Sequence, residues 1–184
     1  MSSIDPTERA RSHGDVEHAD FYQQALKASE QFRTDYQGRL NVVKASQMPL
    51  ERSPDGLIKH IINEKMGTKE CCLDMYQQFI PPGKASGKHR HLSEEVFYVV
   101  EGHGYDLHWD VHFDCDHEMD FSWDEEPKRF DWVQGDFVYI PPYCAHKHFN
   151  SDAKVEARII VINSRIVKAM GFDWFDQLEN AEGY

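Results

Sequence analysis

The rhythm of apolar and polar positions along the 184-residue chain changes near residue 38. Before that point, Phe21, Ala25, Leu26, Ala28, Phe32 and Tyr36 recur at helical spacing within EHADFYQQALKASEQFRTDY and predict one amphipathic helix. Residues 1 to 16 contain Pro6 and Gly14 and show no period, which predicts a mobile lead-in. Beyond residue 38 the pattern breaks into short β-branched and aromatic runs bounded by turn residues: LNVVKA, GLIKHIIN, CCLDMYQQFI, EVFYVVEG, GYDLHWDVHF, FDWVQGDFVYI and EARIIVIN. GYDLHWDVHF alternates most cleanly. Tyr105, Leu107, Trp109, Val111 and Phe113 fall on one face, and Asp106, His108, Asp110 and His112 on the other. Many short strands after one early helix predict an all-β sandwich or barrel. NSRIVKAMGFDWFDQL predicts a short C-terminal helix followed by a tail. With no internal repeat, linker or low-complexity segment, the expected organisation is an N-terminal extension, residues 1–37, and a single domain, residues 38–184.

Composition supports a folded core, since 40% of residues are hydrophobic and 12% aromatic. The net charge of -12 argues against nucleic acid and anionic membranes, which recruit basic patches. The first twenty residues hold no apolar run, so neither a secretory signal nor a membrane span is expected, and the expected location is cytoplasmic. Of the four cysteines, Cys71 and Cys72 are adjacent, a poor disulfide geometry, and neither they nor Cys115 and Cys144 form a CxxC pair. They are expected to be reduced thiols. The apolar face of the N-terminal helix needs a cover, either the main domain or a second subunit. With exposed sheet edges, that points to a homodimer.

The chemistry concentrates in GKASGKHRHLSEEVFYVVEG, residues 83 to 102. In an extended chain His89, His91, Glu95 and Phe97 share one face, with the Cβ atoms of the two histidines about 6–7 Å apart. Two imidazoles so placed can converge on one ion, with metal–nitrogen bonds of about 2.0–2.1 Å. Glu95 can add a carboxylate, while Glu94 faces the other way. Phe97 and Val99 line the ligand face with apolar surface. A second stretch, GDFVYIPPYCAHKHFN, residues 135 to 150, is a strand, a Pro-Pro turn and two more alternate histidines, His146 and His148.

Together these stretches resemble the two motifs of the cupin superfamily. Gly83-x5-His89-x-His91-x3-Glu95-x6-Gly102 matches the first motif at every signature position. Gly135-x5-Pro141-x4-His146-x3-Asn150 matches the second, except that Tyr143 stands where glycine is usual. The resemblance implies a double-stranded β-helix, or jelly-roll barrel, with His89, His91, Glu95 and His146 holding one metal ion. Fe(II) is the expected ion, with Mn, Ni or Zn as other occupants of the same ligand set. The expected activity is a dioxygenase that breaks a carbon–carbon bond in a small metal-chelating substrate: a hydroxylated aromatic, a hydroxyketone or an enediol. Two other readings stay open: a non-oxidative lyase, isomerase or decarboxylase, and a non-catalytic small-molecule-binding cupin.

Around the ligands, Tyr98, Tyr139 and His148 are weaker candidates for acid–base or substrate roles, and Tyr143 is a further hydroxyl close in sequence. Cys144 is expected to be a buried filler. Lys84, Lys88 and Arg90 flank the first histidines, and alternation turns Lys88 and Arg90 away from them towards solvent. Arg158 and Arg165 are further cations with no positional argument. His103, His108, His112 and His117 are expected at the surface. The acidic insertion 103–134, with Trp109, Trp123 and Trp132, is expected to form an extra solvated hairpin extending the sheet, the other reading being an aromatic lid over the metal.

Overall fold

A computed structural model describes residues 19–70, 72–114 and 120–184. The lead-in, Cys71, Cys115 and His117 lie outside them. The chain divides into two compact units, residues 1–39 and 40–184. In the first, α1 (Phe21–Gln37) is the helix that the apolar spacing predicts, ended by Gly38. Phe21, Tyr22, Leu26 and Phe32 on it are exposed.

The second unit is a jelly roll of antiparallel strands. One sheet holds β1 (Leu50–Ser53), β2 (Gly56–Ile62), β3 (Leu73–Ile80), β5 (Glu95–Glu101), β10 (Phe137–Ile140) and β12 (Ala157–Ser164), in the order β1-β2-β3-β12-β5-β10. The other holds β4 (Lys88–His91), β6 (His103–Trp109), β9 (Lys128–Val133), β11 (Ala145–Asn150) and β13 (Phe175–Glu179), in the order β13-β4-β11-β6-β9. β7 (Val111–Asp114) and β8 (Asp120–Trp123) form a separate hairpin. Several strands adjacent in space are distant in sequence, β12 beside β3 and β5 and β11 beside β4 and β6, as the crossing topology of a jelly roll requires. Ile80, Phe97, Val99, Trp132, Ile140, Ile159 and Val161 pack the core between the sheets.

Several expected elements take another form. LNVVKA makes no strand: Leu40 forms a single bridge with Thr68, and residues 45–47 are a 3-10 turn. GYDLHWDVHF breaks at Asp110 into β6 and β7. The C-terminal helix is present as α2 (Ile166–Ala169), but the expected tail is β13, a strand that covers the outer edge of β4.

The largest correction concerns β6. Its polar face points inward: Asp106 and His108 are buried, whereas Tyr105, Leu107 and Trp109 are only half-buried. The outward aromatic face has other cover. Tyr105 stacks on Phe149 at 4.7 Å with Arg129 above it at 3.7 Å, and the Lys88 ammonium sits 3.5 Å over the Trp109 ring. Inside, Asp106 accepts a 2.9 Å hydrogen bond from the Trp132 indole N–H, so the acid is buried with its partners. Gly104 opposes Trp132 in the β6–β9 register, and a Cβ there would meet the indole ring and the Phe149 carbonyl.

Candidate metal centre

β4 and β5 carry the first three candidate ligands, and β11 carries the fourth. His89 and His91 alternate with outward-facing Lys88 and Arg90 on β4, and Glu95 is the first residue of β5. His146 on β11 stands directly opposite His89, the single registered pair between those strands. All four side chains are buried, and a ligand atom from each lies within 4.8 Å of the others. The ring centroids of His89 and His146 are 4.3 Å apart, and those of His91 and His146 are 5.2 Å apart.

Two of the three Nδ1 atoms are hydrogen-bonded by the surrounding chain. His91 Nδ1 is 2.9 Å from the Ser93 carbonyl and His146 Nδ1 3.0 Å from the Cys144 carbonyl, each placed to donate its proton. His89 Nδ1 lies 3.2 Å from the Asp55 carboxylate. On the Nε2 side, His91 contacts Glu95 Oε2 at 3.2 Å and His146 has no partner. Glu95 Oε1 and His146 Nε2 are buried with no hydrogen-bond partner, an arrangement costly in a bare core and resolved by a cation. Three imidazoles and one carboxylate suit a divalent transition metal, so these residues fit such an ion.

The charges agree. Burial raises the Glu95 acid, but His91, His146 and His148 outweigh it and hold the carboxyl below its ordinary range. Burial, then the neighbouring His89, holds His146 well below the usual imidazole value, so it offers a neutral ring. Burial pulls His91 down, but its contact with Glu95 lifts it above the usual value.

Behind the ligands lies a second buried group. His148 Nδ1 is 2.9 Å from Asp106, and its Nε2 is 3.7 Å from Glu95 Oε1. Burial lowers this imidazole, but Asp106 and Glu95 carry it up to about 9. His108 Nε2 lies 3.3 Å from the same Asp106 oxygen. His148 therefore shares the ligand side of the sheet, and His108, expected at the surface, is interior. His103 and His112 are exposed.

Other candidates are not brought to the ligands. Tyr98 is on the outer face of β5 against Phe137, and the exposed Tyr139 contacts Glu94. The Arg90 guanidinium lies over Trp123 at 3.5 Å and binds Asp176 at 2.7 Å. Lys84 pairs with Glu182, and Arg158 with Glu101 and Glu156. Arg165 is surrounded by Glu64, Glu70 and Asp74, so its charge is already matched. Cys144 is buried and its thiol pushed up to about 12, first by burial and then by Asp110.

One cavity adjoins the centre and a second neighbours that cavity. The first, of about 360 Å³, includes His91, Ser93, Asn163, Phe172, Trp174 and Phe175 in its lining. The second, of about 490 Å³, runs along Ile58, Ile62, Tyr76 and Asn163. Asn163 borders both and registers with Glu95 across the sheet. Phe175 lies parallel to the His91 ring at 6.2 Å. The insertion contributes here through one tryptophan: Trp123 and Phe121 pack on Tyr143, and Phe121 also on Trp174. Trp132 is core and Trp109 is on the outer face. Asp55, Asn163, Tyr76 and Phe175 carried no local signal, because each reaches the centre through pairing across the fold.

A family described as auxin binding protein matches residues 36–180. A cupin 2 domain-containing protein of Halorhodospira halophila aligns at 18% identity and TM-score 0.47, covering 59% of this chain and 62% of its own. The plu4264 protein of Photorhabdus luminescens aligns at 15% identity and TM-score 0.51, covering 72% and 92%. A deletion mutant of Bacillus subtilis oxalate decarboxylase OxdC aligns at 16% identity and TM-score 0.51, covering 76% and 34%. The chain thus spans less than two thirds of the first of these proteins and about a third of the last. Since the family match runs through both motifs and the strands that bring their ligands together, the chain belongs to the auxin-binding-protein family of cupins.

Proposed function

We propose that the chain is a mononuclear metal-dependent dioxygenase acting on a small molecule with adjacent oxygens, such as a hydroxylated aromatic, a hydroxyketone or an enediol. The observation that carries this reading is the buried convergence of His89, His91, Glu95 and His146, with Glu95 Oε1 and His146 Nε2 left without a protein partner. A ferrous ion there would supply exchangeable positions for substrate and dioxygen, whereas Mn, Ni or Zn would favour Lewis-acid chemistry.

The chain's own residues supply orientation. The Ser93 and Cys144 carbonyls fix the His91 and His146 rings through Nδ1, and the Asp55 carboxylate faces His89 Nδ1 at 3.2 Å, so two of the three rings are held before an ion arrives. Phe175 and Trp174 give the adjoining cavity an aromatic side against which a planar substrate could stack. The Tyr76 phenol is held well above its ordinary value, first by burial and then by Glu95, and so keeps its proton throughout the neutral range. It lines the second cavity, so for a substrate that reached there it would serve as a hydrogen-bond donor and not as a base.

The test is oxygen uptake by anaerobically prepared, Fe(II)-loaded protein across catechols, hydroquinones, hydroxyketones and β-diketones, with His146→Ala as control. Uptake that depends on one compound and disappears in the variant is expected. The family match favours a second reading, a metal-assisted binding protein for a small aromatic carboxylate such as an auxin. Saturable, metal-dependent binding of that acid without oxygen uptake or product would select it.

A further inference from the structure

The three histidines differ in what stands behind them. His91 and His146 face neutral backbone carbonyls through Nδ1, and His89 alone faces a carboxylate. That carboxylate, Asp55, lies in the turn between β1 and β2, outside both motifs. Its side chain is 13% exposed and the His89 side chain 3%.

Asp55 is itself held on several sides. The Gln78 amide N–H donates to Asp55 Oδ2 at 2.7 Å and to the Asp55 carbonyl at 2.9 Å. The turn is pinned from the C-terminal segment, where Ala181 N–H donates to the Pro54 carbonyl at 2.7 Å. The remaining oxygen, Oδ1, is 3.2 Å from His89 Nδ1, an ion-pair contact short of hydrogen-bond geometry that leaves both buried atoms without a hydrogen-bond partner. An acid fixed by its neighbours, with one oxygen reserved for a ligand ring, is built to act on that ring.

We propose that Asp55 is a positioning residue of the metal centre. Its carboxylate faces His89 Nδ1 and so favours the tautomer protonated there, which leaves Nε2 as the donor atom. With Glu95 it also places two negative charges beside the ion, which balance a divalent cation held by neutral imidazoles. The proposal rests on the metal reading above.

Cobalt(II) is the probe, read by its visible absorption and by competition with a chromophoric chelator. The wild-type protein is expected to bind one equivalent. Asp55→Asn is expected to weaken binding about ten- to a hundredfold and shift the cobalt bands, with the thermal midpoint of the apoprotein unchanged. Asp55→Glu is expected to recover part of both. Histidine side-chain 1H–15N correlations of the wild-type apoprotein are expected to show His89 protonated on Nδ1. Wild-type affinity and bands in Asp55→Asn, or His89 protonated on Nε2, would overturn the role of Asp55 and leave the metal reading standing. Loss of apoprotein stability with unchanged affinity would reduce Asp55 to a structural residue. Absence of cobalt binding by the wild-type protein would remove both proposals.

Discussion

At the scale of single residues, Tyr143 is the one departure from the second motif, and its backbone keeps the motif's conformation. Its φ is 60°, the left-handed region that costs a non-glycine residue about 1–2 kcal/mol. The ring offsets that cost. It meets Phe121 at 5.2 Å, Trp123 at 5.2 Å and Trp174 at 5.9 Å, while its carbonyl accepts the Trp123 indole N–H at 2.9 Å. Tyr143→Gly loses the contacts and the strain, whereas Tyr143→Ala loses the contacts and keeps the strain. Urea unfolding is therefore expected to rank wild type above Tyr143→Gly, with Tyr143→Ala lowest by about a further 1 kcal/mol.

Asp106 gives a second test at this scale. Burial raises it, but His148 and His108 outweigh burial and hold it below the ordinary carboxylate value. An acid depressed by folding stabilises above its unfolded value, and that contribution disappears as pH falls through the folded one. Asp106→Ala leaves His148 and Trp132 without their acceptor and is expected to cost the apoprotein about 3–5 kcal/mol at neutral pH. The deficit should narrow on acidification; a constant gap across a pH series of denaturant melts would contradict the ionised pairing. For Cys144, burial predicts an unreactive thiol. Iodoacetamide at pH 8 followed by mass spectrometry is expected to leave Cys144 unlabelled until the protein is unfolded.

Among the elements, β6 shows where a binary pattern misleads. Asp106 and His108 alternate with Leu107 and Trp109 as a solvated strand would, yet the polar side is the interior. Alternation fixes which residues share a face but not which face is inside, and a barrel that houses a charged site inverts the usual preference. β4 and β11 were legible because their histidines carry fixed local spacing. β13 was not, because its place depends on the edge it covers. Gly87 marks that dependence: a Cβ there would meet the Pro54 carbonyl at 2.7 Å and the Glu179 carbonyl at 2.8 Å. Gly87→Ala is expected to push β13 away from β4 and lower cobalt affinity, with a smaller effect on the overall melting point. Unchanged affinity would mean that the edge tolerates the shift.

For the whole molecule, the sequence motifs carried the fold class and the four converging residues, since both are encoded in short strands joined by a specific turn. LNVVKA has the composition of a strand but forms none, because β-branched residues form one only with a partner, and Leu40 finds a single bridge. Asp55 was invisible for the converse reason: its meaning comes from a strand far along the chain. No helix among the described residues is long and apolar enough to cross a membrane. The exposed apolar side chains of α1 keep the proposal of a homodimer open to light scattering, which is expected to give twice the chain mass.

One pair in the sheet has a mechanical consequence. Within β4 and β11 the one registered pair is His89 and His146, with an Ala85–Phe149 bridge beyond the end of β4, whereas β12 is laddered to β3 from Ala157 to Ser164. An ion shared by those two histidines would work as a rivet across this seam of the barrel. Its removal should let β4 and β13 breathe together, raising their amide hydrogen exchange while β12 keeps its protection. The seam that admits the metal would then also be the path by which it leaves.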